Sequence, residues 1–181
     1  EAWYTLTEDA VRTSILARKA IQLTCLGVAD LYQGCETIRT HLVDPDNRRP
    51  VDFAALAEKL TYLDRRDPVT LAEEKLHLTR QILQLRRRRP DVFVGAKAAY
   101  APLPSSTGHV LSFTRGADPQ VAVVASLRRP KEAAVFATHT SVLPEGTWTD
   151  VLTRRTFDGG AAPVTDLLQR YPAAVLERTD A

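Results

Sequence analysis

The chain contains no methionine, two cysteines, no long apolar run and almost no net charge, and each shortage excludes something. Cys25 and Cys35 are too few for a disulfide framework or a four-cysteine zinc site, so they read as reduced thiols in or near a core. His41, His77, His109 and His139 show no metal-ligand spacing, and no metal or other cofactor is expected. No stretch approaches the roughly 20 apolar residues of a membrane helix, and the acidic start lacks the basic region of a signal peptide. These features predict a cytoplasmic protein. With 24 Lys and Arg against 22 Asp and Glu, charge alone argues for neither a nucleic-acid nor a membrane partner. The missing initiator suggests a piece of something longer. What remains is an ordinary globular balance, 181 residues of which 44% are hydrophobic and 25% charged, enough to bury a core.

The first half has helical periodicity. A capping-box pattern at Thr5-Leu6-Thr7-Glu8 predicts a helix from about residue 7 to 22, with Val11, Ile15, Leu16 and Ala20 on its inner face. Residues 23–32 form an apolar run broken by Gly27, read as a buried strand ending in a loop at Gln33-Gly34. A turn-rich loop follows from His41 to Pro50, then a short helix capped by Asp52. A longer helix begins after Asp67-Pro68, carries Leu71, Leu78, Ile82 and Leu85 on one stripe with Leu76 and Leu83 beside it, and ends at Pro90.

Past Gly95 the pattern changes. Short apolar runs at 110–113, 121–125, 133–136 and 173–176, with an alternating run at 147–153, predict antiparallel strands, while residues 164–171 suit either a helical turn or a strand. The expected class is α+β, with residues 1–94 helical and 95–181 a small antiparallel β-sandwich.

Several chemistries can be set aside. Arg86 to Arg89 could grip phosphates or RNA, but cations in the last turn of a helix complement its negative end, and no second basic cluster supports nucleic-acid binding. No Gly-x-Ser-x-Gly elbow, catalytic cysteine signature or phosphate-cradling glycine loop occurs, and Asp158-Gly159-Gly160 reads as a turn. The loop at 42–50 is different. It sets Asp44, Asp46, Asn47, Arg48 and Arg49 between Pro45 and Pro50, a density of directional donors and acceptors that sugar recognition requires. A self-satisfied loop stapled by Arg–Asp pairs explains the same residues equally well.

Two segments carry a resemblance. Gly27-Val28-Ala29-Asp30-Leu31-Tyr32-Gln33-Gly34-Cys35-Glu36, followed by Leu42-Val43-Asp44-Pro45-Asp46-Asn47-Arg48-Arg49-Pro50-Val51-Asp52-Phe53, resembles the eighth-strand region of the maltooligosyltrehalose synthase family in the alpha-amylase superfamily of glycoside hydrolases. The helix at 78–90 is similar to the one that closes the family's barrel. Leu26 and Ala29 stand where the family has prolines, and Thr37 to Thr40 replace a segment that carries a Trp and an Asp. The resemblance implies the remnant of the last strand and helices of a (β/α)8 barrel at 1–94, followed by the C-terminal domain at 95–181. It implies an isomerase that moves a glucosyl unit within a maltooligosaccharide, turning the reducing-end α-1,4 link into an α,α-1,1 link in trehalose biosynthesis. The carboxylates of this retaining chemistry lie upstream, so no catalytic residue is assigned here and the chain alone is expected to be inactive. Its implied contribution is a substrate wall: Tyr32, Gln33, Glu36, Asp44, Asp46, Asn47, Arg48 and Arg49. The implied partners are an α-1,4-glucan and the missing N-terminal barrel portion. A free-standing glucan-binding or protein-interaction module without catalysis is the alternative.

Overall fold

The computed structural model describes residues 2–40, 48–127 and 136–180. Four helical segments come first: α1 (Ala2–Thr24), α2 (Phe53–Leu63), α3 (Leu71–Arg88) and the single turn α4 (Pro90–Phe93). Strands β1 (Tyr100–Pro102), β2 (Val110–Arg115), β3 (Val121–Ser126), β4 (Thr140–Asp150), β5 (Thr156–Pro163) and β6 (Ala173–Arg178) follow, with the helical turn α5 (Val164–Leu167) before β6. The order of helices and strands is that of an α+β chain.

The strands form one antiparallel sheet in the order β1-β2-β3-β6-β4-β5, where two stacked sheets were expected. The sheet curls until its ends approach. Val142 N donates to the Pro104 carbonyl at 3.0 Å, Ser106 N to the Thr140 carbonyl at 3.0 Å, and the Ser112 and Ser141 hydroxyls meet at 3.2 Å. Inside the curl lies a core of Val110, Ala122, Val124, Leu143, Trp148 and Leu176 with their neighbours. Trp148 Nε1 donates to the Pro144 carbonyl at 2.9 Å, which satisfies the polar atom of the largest buried side chain.

The outer face carries a second core, where Val121, Val123 and Ala125 of β3 and Ala173 and Val175 of β6 meet Leu16, Ala20 and Leu23 of α1 and Leu78, Ile82 and Leu85 of α3. Both faces of β3 are therefore covered. That is why its sequence is unbroken by a polar residue until Ser126. Glu74, 6% exposed, anchors the helices: Arg12 of α1 grips it with two bonds, Nε to Oε2 at 2.7 Å and Nη2 to Oε1 at 2.8 Å. Arg170, ahead of β6, approaches the same carboxylate at 3.6 Å. The hydrogen bonds to Glu74 raise the Arg12 pKa despite its partial burial.

The arginine run ties helix to sheet. Arg86 Nη1 donates to the Leu23 carbonyl at 2.9 Å and its guanidinium lies 4.6 Å from the centre of the Phe93 ring, while Arg88 meets Glu177 Oε2 at 2.8 Å. Arg89 donates to Gln120 on the sheet side. The structural reading of that run is the one these contacts express. At the end of β4, Asp150 is buried, which raises its pKa, and its oxygens accept from Leu152 N, Val175 N and the Thr153 hydroxyl.

Several expectations need correction. Thr5 to Glu8 do not start α1, which already runs from Ala2, and Val11 is exposed rather than on the inner face. The strand expected at 23–32 is absent: Leu23 and Thr24 end α1, the Thr24 hydroxyl donates back to the Ala20 carbonyl at 2.7 Å, and Cys25 N to Ile21 at 2.8 Å. Gly27, at φ 91°, then turns the chain out of the helix, and residues 28–32 run on without a strand partner among the described residues. The six strands among the described residues lie between residues 100 and 178, and none of them pairs with it. Of the strand expected at 133–136, residues 133–135 fall outside the described residues, and Phe136 lies in a helical turn. The turn at 44–47 is also outside them.

The capping box forms at α3, where the Thr70 hydroxyl accepts from Glu73 N at 3.2 Å and Glu73 Oε2 accepts from Thr70 N and Val69 N. Arg66 adds a bond to Glu73 Oε1 at 2.6 Å. These bonds, led by that from Arg66, lower the Glu73 pKa from 4.5 to about 2. A carboxyl whose folded pKa is depressed adds stability that is present above its unfolded value and is lost as pH falls through the folded one. Denaturant unfolding of Glu73→Gln against the parent should show a difference that is full above pH 4.5 and shrinks steadily toward pH 2; a difference independent of pH contradicts this assignment.

Candidate functional site

Of the expected recognition residues, Tyr32, Gln33, Glu36, Arg48 and Arg49 stand on the segments at 27–40 and 48–52. Backbone chemistry shapes the first segment. Cys35 N donates to the Tyr32 carbonyl at 3.0 Å, closing a turn whose third residue, Gly34, has φ 79°. Arg39 Nη1 donates to the Gln33 carbonyl at 2.9 Å and braces the turn from outside. Lys75 Nζ, on α3, donates to the Thr37 carbonyl at 2.7 Å, and Gln22 Nε2, on α1, donates to the Asp30 carbonyl at 2.8 Å. Both helices thus hold the segment in place by its carbonyls. Asp52 Oδ1 accepts from Ala55 N at 2.9 Å and caps α2 as the sequence suggests.

Tyr32 is half exposed and lines a cleft of about 560 Å³ between α1, the turn and Lys75. A second cleft, about 250 Å³, opens on the other side of the turn between Gly34, Arg39, Pro50 and Asp52. Gln33, Arg48 and Arg49 are exposed and line neither of these two clefts. Glu36 borders a third, mostly apolar cleft beside Leu76 and Leu83, and its Oε2 is buried with no hydrogen bond among the described residues. Asp44, Asp46 and Asn47 lie outside the described residues. Tyr32, Glu36 and the approach to Pro50 therefore share one surface but open into three clefts.

Sequence reasoning missed Lys19, Lys75, Arg18 and Gln22, which build the larger cleft with Tyr32. A signal existed. Lys19 falls between Leu16 and Leu23 on the inner stripe of α1, and Lys75 falls between Leu71 and Leu78 on that of α3, so each places an amine where the periodicity calls for an apolar side chain. Burial lowers the pKa of both amines and Lys19 lowers that of Lys75 further, while Cys35 and Glu36 nearby oppose the shift. Cys25 and Cys35 are unpaired and partly buried. Among the described residues no cluster of His, Cys, Asp and Glu could hold a metal ion, and no helix is long and apolar enough to cross a membrane.

The described part of this surface is rich in polar groups. It offers oriented carbonyls, amines, an aromatic ring and guanidinium groups, the equipment of a protein that holds a polar ligand.

Comparison with known proteins specifies this further. No family model matches the chain. Over 170 residues, 92% of its length, it is 38% identical to a putative maltooligosyl trehalose synthase of Mycobacterium tuberculosis, of which that stretch is 20%. The solved maltooligosyltrehalose synthase from Arthrobacter ramosus superposes with a TM-score of 0.78 at 38% identity, over 91% of this chain and 22% of that one. Another solved maltooligosyl trehalose synthase gives a TM-score of 0.66 at 25% identity, over 93% and 22%. The chain spans about one fifth of the length of the curated relatives it matches. What it matches, in sequence and in fold, is the C-terminal portion of maltooligosyltrehalose synthase.

Gly34 is the position where the turn is least tolerant. Its φ of 79° suits glycine, and a Cβ there would run into Arg39 Nη1 and lie 3.0 Å from Val51 Cγ2. Gly34→Ala should lose about 1–2 kcal/mol in urea unfolding. Stability equal to the parent within about 0.3 kcal/mol would show that the turn is not under this constraint.

Proposed function

We propose that this chain is the C-terminal part of an enzyme that converts the reducing-end α-1,4 link of a maltooligosaccharide to an α,α-1,1 link, an intramolecular glucosyl transfer of trehalose biosynthesis in the cytoplasm. Residues 1–94 are then the end of a (β/α)8 catalytic barrel of the alpha-amylase superfamily, with 27–32 as the run that becomes its last strand, and 95–181 are the C-terminal domain. The observation that carries this reading is the match of 92% of the chain to one fifth of a much longer synthase, at 38% identity. It is supported by a run at 28–32 that has no strand neighbour among the described residues, with Leu26 62% and Val28 95% exposed. Exposed apolar side chains on a run of strand composition are what a strand leaves open when its neighbours belong to another stretch of chain.

In this reading the bond-breaking carboxylates lie on the barrel strands that precede these residues. The chain's own task is to border the glucose site. Tyr32, Gln33 and Glu36 on the turn, with Asp44, Asp46, Asn47, Arg48 and Arg49 on the following loop, present hydrogen-bonding groups to sugar hydroxyls and brace one another. A freed glucose must be held while it turns and water must be kept away, which suits a segment held by Gln22, Lys75 and Arg39 through three carbonyls.

The test is to give maltopentaose to the chain alone and to the chain combined with the preceding four fifths of the Arthrobacter ramosus synthase. A non-reducing saccharide should form only in the combination. Product from the isolated chain would overturn the placement of the carboxylates upstream, and no product from a combination that demonstrably assembles would favour a binding module without catalysis.

A further inference from the structure

The cleft of about 560 Å³ between α1, the turn at 30–35 and α3 has cationic walls whose charge the transglucosylase reading, which uses Lys75 only as a brace, leaves unused. Lys19 is 8% exposed, Lys75 is half buried, and Arg18 stands exposed at the rim. Each amine is bonded to a neutral oxygen: Lys19 Nζ donates to Gln22 Oε1 at 2.7 Å, and Lys75 Nζ to the Thr37 carbonyl at 2.7 Å. An ammonium has three donors, so two remain on each. None of the three cations has a carboxylate within ion-pair distance among the described residues. Glu36 is near enough for its charge to act on both amines, but it borders a different cleft. The acidic side chain in the lining is Asp30, which is exposed.

Two desolvated ammonium groups that repel each other, as Lys19 does Lys75, are a costly arrangement unless an anion comes between them. Three cations facing one exposed carboxylate leave an excess that a dianion neutralises, and several oxygens on one small centre can accept from several donors at once. The volume lies within the range of small-ligand sites and leaves room for an ester group beside the half-exposed Tyr32 ring.

We propose that this cleft binds a phosphate dianion, carried by inorganic phosphate or by the phosphate monoester of a sugar, with the Lys19 and Lys75 ammonium groups and the Arg18 guanidinium as its donors. The site takes a ligand class that glucosyl transfer does not use, so it stands or falls independently of that reading.

The experiment is calorimetric titration of the chain, in a buffer low in salt, with inorganic phosphate and with glucose 6-phosphate. Saturable binding at one site is expected for at least one of them, and the tighter one identifies the source. Lys75→Met and Lys19→Met should each weaken it at least tenfold, with a smaller loss in Arg18→Gln. Should Lys19→Met fail to fold, Lys75→Met and Arg18→Gln decide the matter from less buried positions, with near-ultraviolet circular dichroism verifying their fold. Absence of saturable binding to the parent chain, or an unchanged affinity in folded Lys75→Met, overturns the proposal.

Discussion

The architecture depends on covering both faces of β3. A sheet with one wet face would alternate polar and apolar residues, but Val121 to Ala125 are apolar throughout, and each face must find its own cover. The inner face is covered by the sheet itself, which curls to bring β4 and the 103–106 connection together around Trp148. The outer face is covered by α1 and α3, held side by side through the Arg12–Glu74 pair. That second requirement fixes where the helices lie. It thereby positions the turn at 30–36, which hangs from them by Gln22 and Lys75.

Much of this frame could be read from the residues, and the exceptions have physical causes. The stripe of α3 and the Asp52 cap follow from spacing and side-chain chemistry that act within one turn of helix. The pattern Thr-x-x-Glu occurs twice: Thr70 precedes its helix and closes a capping box, whereas Thr5 lies within a helix that already runs from Ala2. Pro68 disfavours helix ahead of Thr70, whereas nothing ahead of Thr5 does so. The apolar runs of β3 and β6 announced burial on both faces. They could not say whether sheet or helix provides the second cover, and hence a sandwich was expected where a curled sheet backed by helices is found. Strand pairing is non-local in the same way: residues 28–32 have strand composition, but a strand requires a neighbour that local sequence cannot specify.

At the site, Tyr32, Glu36 and the approach to Pro50 were legible as neighbours because they flank a turn and a proline-rich loop, but they open into three clefts. The lysines of the larger cleft went unnoticed although they interrupt two otherwise apolar stripes. Periodicity is usually used to find the core, and a charged residue on a buried stripe is then passed over. Here Lys19 is nine-tenths buried and lines the cleft together with Lys75, so the interruption was itself the information. The match is to about a fifth of maltooligosyltrehalose synthase, in sequence and in fold.

The central claim is that the surface built on the turn at 32–36 and the loop ending at Arg49 borders glucose units. A crystal structure of the chain assembled with the preceding barrel region and a bound maltooligosaccharide tests it most directly. The account predicts sugar hydroxyls within hydrogen-bond distance of side chains from both segments. A saccharide bound in the barrel with neither segment in contact would contradict it.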